Sequence, residues 1–252
     1  PRSNPQRGNL GRGFSGGLFL DGRAKTLEDQ AKAPFLNPLE MNNPNIAAVI
    51  EAIRESDYAD EFQTVFGDTA LENENQAFEQ VAIAIAAFER TPLFSPFSSK
   101  FDAARTDEAI FTASERRGQI LFFGRAGCSA CHNSRNNQAQ VFSNFRYENI
   151  GLPANPDNPF YQLESSLNPE GAEFIDLGLG AVVGFESENG KFRVPTLRNV
   201  AETAPYMHNG VFATLEQVVS FYNSRDVDPN FGPAEVPQNI TRRGRIGNKG
   251  LS

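Results

Sequence analysis

The chain has 252 residues, 39% of them hydrophobic and 21% charged, which is enough apolar mass for one large domain or two small ones and far from a disordered composition. A formal net charge of −8 disfavours nucleic acid and anionic membranes but suits a small basic partner such as a soluble electron carrier. No apolar run approaches the roughly 18 residues of a spanning helix, two cysteines exclude a disulfide-rich scaffold, and 22 phenylalanines with 21 glycines and 16 prolines predict long irregular loops packed by aromatic rings.

The chain opens on Pro1-Arg2-Ser3-Asn4-Pro5 in a Gly- and Arg-rich stretch with no periodicity, initiator Met or targeting segment. Residues 26–32 read as a short helical turn ending before Pro34, and Pro34, Pro38 and Pro44 predict an extended, turn-rich loop. From Asn45 on, Ile46, Val49, Ile50 and Ile53 recur at helical spacing, and residues 58–66 give a second short helix closed by Gly67. Residues 74–90 form the longest helix candidate, with Phe78, Val81, Ile85 and Phe88 on one face and Thr91-Pro92 as its end. The capping box Thr112-Ala113-Ser114-Glu115 starts a helix that runs out at Gly124. Between Asn133 and Val194 the sequence is mostly loop, with a short hairpin expected over 181–194 around the turn signal Glu188-Asn189-Gly190. A second capping box, Thr214-Leu215-Glu216-Gln217, starts a helix whose Leu215, Val218, Val219 and Tyr222 are expected on one inward face. Residues 241–250 are basic and glycine-rich, and Leu251-Ser252 stops where a Ser could cap a helix. Both ends therefore read as cut, and the chain as mainly α with long loops.

Cys128-Ser129-Ala130-Cys131-His132 is a CxxCH sequence, the attachment signature of c-type haem. Two thiols add to the haem vinyl groups as thioethers, and the adjoining imidazole binds the iron from below. Zinc is the chemical rival, but a structural zinc site wants four N or S ligands and only His208 is left to help. Covalent haem places assembly outside the bacterial cytoplasm. Phe111, Phe122, Phe123, Phe142 and Phe145 are candidates to wall the macrocycle from water. A sixth iron ligand is open on the residues alone. Met207 and His208 share the turn between Pro205 and Gly210, Met41 lies in the distant proline-rich loop, and Tyr222 sits on an apolar helix face where a buried hydroxyl needs a partner.

These residues resemble the bacterial di-haem cytochrome c peroxidase family, which includes a branch that oxidises tryptophans of a partner protein. Phe19-Leu20-Asp21-Gly22-Arg23-Ala24 is similar to its FWDGRA, Asn37-Pro38-Leu39-Glu40-Met41 to its NPxEM, residues 192–200 to its FRVPTLRNV, and residues 203–210 to its TAPYxHDG. The resemblance implies two cytochrome c-like domains, each with a haem c. Residues 1–105 would be the remainder of the N-terminal peroxidatic domain without its haem-binding part, and residues 106–252 the C-terminal haem domain without its last helix. It implies hydrogen peroxide as substrate, electrons from a small cytochrome c or cupredoxin, or from a protein substrate in the tryptophan-oxidising branch, and a periplasmic location; a homodimer is left open. A monohaem electron-transfer protein without catalysis is the rival of another class.

Residue by residue, Gln30, Pro34 and Glu40 fall on active-site positions, with Glu40 the acid/base that moves a proton between the peroxide oxygens. Arg198 is carried over as a cofactor-binding residue, and Thr203 and Pro205 as positions whose backbone carbonyls hold calcium. Two departures stand out. Leu20 replaces a Trp that usually lies between the haems, so transfer slows or reroutes through Phe19. Tyr222 falls where ordinary cytochrome c peroxidases have Met and the tryptophan-oxidising branch has Tyr, which places it ahead of Met207 as sixth ligand.

Overall fold

In the computed structural model the described residues are 13–133, 140–242 and 246–251, together with the backbone of Gln6–Arg7. They divide into two compact units, one of Ala24–Pro96 and the other drawn from Pro5–Arg23 and Phe97–Ser252. The division thus falls at Phe97, not at residue 106, and residues 13–23 go with the second unit. Side-chain and backbone bonds explain both shifts. Asp102 pairs with Arg198 and Lys100 with Glu115 at 2.7 Å, while the Tyr147 hydroxyl donates to the Gly16 carbonyl at 2.6 Å and the Arg193 amide to the Leu20 carbonyl at 2.7 Å.

The first unit is helical: α1 (Leu27–Leu36), α2 (Ile46–Arg54), α3 (Ala59–Phe66) and α4 (Glu74–Glu89). Thr26, Asn45 and Asn73 each cap a helix by accepting a backbone amide with their side chains, the contribution expected of Ser, Thr, Asn or Asp at an N-cap. Val49, Ile50 and Ile53 of α2 pack with Leu71 and with Ala77, Phe78 and Val81 of α4 into one buried cluster, and Phe35 of α1 adds an edge-on ring against Phe78 at 5.7 Å. Burying each large side chain there contributes about 1.5–3 kcal/mol. Two expectations change. Pro34 lies inside α1, which continues to Leu36 before Asn37 turns extended; the ring's fixed φ is itself helical, so only one amide bond is lost. Phe88 is 55% exposed and rests edge-on against Phe94 at 4.9 Å, so the buried face of α4 is completed by Ala82 and Ala86 instead.

The second unit is mostly loop organised by short elements. Strands β1 (Gln6–Arg7) and β2 (Phe14–Ser15) pair antiparallel, followed by α5 (Lys100–Ala103), α6 (Ala113–Phe123), strand β3 (Tyr147–Glu148), α7 (Leu179–Val183), strand β4 (Phe192–Arg193) and α8 (Leu215–Ser224). The expected hairpin over 181–194 does not form: its first half is α7, and β4 pairs antiparallel with β3, Tyr147 opposite Arg193. Gly190 still has a positive φ of 73°, but its role is close approach, since a Cβ there would lie 2.7 Å from the Val236 Cβ. Both expected capping boxes, at Thr112 and Thr214, are present. The buried face of α8 centres on Phe221, fully buried against Leu152 and Phe212, while Val219 is 58% exposed.

Candidate haem-attachment site

Helix α6 ends at Gly124, and Gly127 takes the left-handed conformation that turns the chain into a single 3-10 turn over Cys128–Ala130. The amides of Cys131 and His132 both donate to the Cys128 carbonyl, at 3.2 and 3.0 Å, so both thiols and the imidazole are set out from one compact loop with no disulfide between the cysteines. His132 places Nδ1 2.9 Å from the Phe142 carbonyl oxygen. A carbonyl only accepts, so the proton sits on Nδ1 and the lone pair on Nε2. Burial pushes this imidazole below its ordinary pKa, against the stabilising backbone bonds of Phe142 and Pro195, which favours the neutral form a metal ligand needs. Among the described residues no group of three or more His, Cys, Asp or Glu side chains comes together as a metal site. Two thiols and a neutral imidazole on one turn do fit a covalently attached haem.

Four of the five expected phenylalanines join one network. Phe122 meets Phe123 at 5.1 Å and Phe142 at 6.0 Å, and Phe101, which the sequence reading passed over, links Phe142 at 5.0 Å to Phe111 at 6.5 Å. Phe145 stands apart, with the Arg193 guanidinium 5.9 Å from its ring centre.

Tyr222 on α8 has its phenol raised above the ordinary range by burial first and then by the nearby Cys131 and Cys128. It therefore lies within electrostatic reach of the attachment loop. Met207, at a positive φ of 74°, packs against the Leu152–Phe212–Phe221 cluster. His208 stacks on Phe192 with ring centres 3.5 Å apart and planes 11° from parallel; its Nε2 is buried with no hydrogen-bond partner, and burial pushes its pKa down to about 4. It lines a cavity of about 210 Å³ with Asp176 and Glu235.

The basic stretch near residue 250 is not loose. The Gly247 amide donates to the Tyr222 carbonyl at 2.8 Å, the Lys249 amide to the Asn223 carbonyl at 2.9 Å, and the Asn223 side chain makes a reciprocal pair with the Leu251 backbone. Lys249, only 4% exposed, donates its Nζ to the Ala126 carbonyl, which also accepts from the Cys128 thiol at 3.8 Å. Burial raises the Cys128 thiol pKa and the Lys249 charge opposes that shift. Nothing in its sequence pattern marked Lys249.

The other expected residues distribute as follows. Gln30 and Pro34, one helical turn apart on α1, are half-buried; Glu40 is exposed on the following turn, where its carboxylate accepts from Asn37 Nδ2 at 2.6 Å, and the Met41 amide returns to the Pro34 carbonyl at 3.1 Å. Thr203 and Pro205 are exposed just before the loop closed by the Tyr206 amide on the Phe212 carbonyl at 2.7 Å. Leu20 is 39% exposed beside Phe19, whose ring lies 3.7 Å beneath the Arg23 guanidinium. Arg198 points its Nη atoms at Asp102 and its Nε at the Gln140 carbonyl.

Loop, ligand and ring shell together define a c-type haem protein. A family model described as di-haem cytochrome c peroxidase matches residues 2–109. The methylamine utilization protein MauG of Paracoccus denitrificans is 42% identical over 216 residues, covering 83% of this chain and 54% of that protein. The cytochrome c551 peroxidase of Pseudomonas aeruginosa is 34% identical, covering 94% and 62%. Among solved structures, the diheme peroxidase BthA of Burkholderia thailandensis superposes with a TM-score of 0.77 at 32% identity, covering 92% of this chain and 58% of that one. The chain belongs to the di-haem cytochrome c peroxidase family, and it spans about half the length of the curated relatives it matches.

Proposed function

We propose that this chain carries the electron-transfer haem, and the roof of the peroxide site, of a periplasmic di-haem peroxidase that reduces hydrogen peroxide with electrons from a small cytochrome c or cupredoxin. The observation that carries this reading is the His132 imidazole, fixed by the Phe142 carbonyl at 2.9 Å on the same turn as the two thiols. A bound haem c would supply reversible electron transfer at iron. The chain's residues do the rest. Cys128 and Cys131 would fix the group covalently, the Phe101–Phe111–Phe122–Phe142 rings would exclude water, and Tyr222, ahead of Met207, would be the second residue to hold the iron. Converting peroxide to two waters consumes two electrons and two protons, so a proton carrier is required. Glu40 is assigned that task, with Gln30 and Pro34 shaping its surroundings. The backbone carbonyls of Thr203 and Pro205 suit a hard cation such as calcium.

A second reading, a maturation enzyme that oxidises tryptophan of a protein substrate, is favoured by a buried Tyr222 phenol that feels the charge of Cys131 and Cys128, while Met207 packs among aromatic rings. Residues 24–96 belong in either case to a peroxidatic domain, and the whole protein holds two haems. Haem per chain and peroxide turnover with a reduced small cytochrome, measured on the full-length protein, test this. Two haems with turnover are expected, and one haem with none would leave only the monohaem electron carrier.

A further inference from the structure

Phe142 has a backbone φ of 51°, a left-handed conformation that a bulky side chain adopts only when its surroundings hold it there. Three consecutive carbonyls at this point are all engaged. Gln140 O accepts from Arg198 Nε at 2.7 Å, Val141 O from the Thr196 hydroxyl at 2.7 Å, and Phe142 O from His132 Nδ1 at 2.9 Å. The Arg198 guanidinium also lies 5.4 Å from the Phe142 ring centre and 4.7 Å from that of Phe97. Arg198 is itself anchored two-fold on Asp102, with Nη2 to Oδ1 at 2.8 Å and Nη1 to Oδ2. The Asp102 carboxylate in turn accepts from the Ser99 hydroxyl at 2.6 Å and amide at 3.0 Å, closing the capping box of α5.

We propose that Asp102, Arg198 and Thr196 are positioning residues for the His132 imidazole: they clamp the 140–142 backbone so that the Phe142 carbonyl polarises Nδ1–H and strengthens electron donation from Nε2. The inference deepens the haem reading and rests on it. Arg198 then acts through the protein chain, because its Nε and both Nη atoms are committed to Gln140, Asp102 and Ser99. A ligand whose N–H loses its acceptor donates less to the metal, so the oxidised iron is less favoured and the midpoint potential rises.

The test uses the haem-loaded protein and reads haem stoichiometry and the midpoint potential of the His132 haem. Thr196→Val, which removes one hydroxyl without changing charge or size, is expected to retain its haem and shift the oxidised-to-reduced equilibrium up to about tenfold toward reduced, an upward move of up to about 59 mV for one electron; Thr196→Ser, which restores the donor, returns it to the parent value. Asp102→Asn raises the potential further, because it also removes a negative charge. A Thr196→Val potential equal to that of the parent at full haem content overturns the positioning role. A parent chain that takes up no haem overturns the haem reading beneath it, and the stoichiometry distinguishes the two failures.

Discussion

His208 gives a pH dependence whose size follows from its burial. Stacked on Phe192 with Nε2 sealed from water and unbonded, its imidazole is pushed from 6.5 to about 4. Unfolded chain takes up a proton near pH 6.5, whereas the folded protein resists until about pH 4, so its contribution to stability is complete above 6.5 and is lost as pH falls toward 4. At about 1.36 kcal/mol per pH unit, that is roughly 3.4 kcal/mol across the window and about 2 kcal/mol between pH 7 and pH 5. The carboxyls of Asp176 and Glu235, held above their usual range chiefly by burial, gain protons more readily in the folded protein than in the unfolded chain and so work in the opposite direction. The informative quantity is therefore parent against His208→Phe at each pH. Phe keeps the ring stack and removes the titrating nitrogen. Urea unfolding of both proteins at pH 5 and pH 7 should show the parent losing about 2 kcal/mol more than the variant. Parallel losses would refute the reasoning, as would an imidazole titration by NMR at its ordinary pKa.

Three further outcomes are expected. Phe221→Ala, at a fully buried position on α8, should destabilise by about 3–5 kcal/mol in denaturant unfolding; a loss under 1 kcal/mol would mean the cluster with Leu152 and Phe212 is not a core. Glu40→Gln should lower peroxide turnover by about 10²–10⁴-fold with haem content intact, and normal turnover would clear Glu40 of acid/base duty. Tyr222→Phe should change the haem absorption and raise its potential, because an anionic oxygen ligand favours the oxidised metal; an unchanged spectrum removes Tyr222 from the axial position.

Local signals in the sequence carried through wherever a segment folds on its own terms. The capping boxes at Thr112 and Thr214, the spacing of Val49, Ile50 and Ile53, and Gly67 as a helix stop are all satisfied within a few residues of chain, and each stands in the structure. CxxCH belongs to the same group, because its geometry is one turn. Signals that depend on distant partners were misread. Glu188-Asn189-Gly190 has the composition of a hairpin turn, yet Phe192 found its strand partner at Glu148, and the glycine serves an approach by Val236. Val219 looked inward by period, but Phe221 is the residue that the Phe212 and Phe231 rings enclose. Lys249 carries no pattern at all, and Asp102 shows only its local capping box with Ser99, since a half-buried ion pair or a lysine on a carbonyl is defined only once remote strands of chain have met.

The strip of residues 246–251 binds the backbone of Tyr222 and Asn223 on one side and, through Lys249, the carbonyl at Ala126 on the other. Helix α8 and the cysteine turn are thereby yoked: neither can drift without dragging the other. A slackened yoke would disturb the cysteine turn and the Tyr222 end of α8 in the same event, so damage to this unpatterned strip should mimic lesions at both places at once.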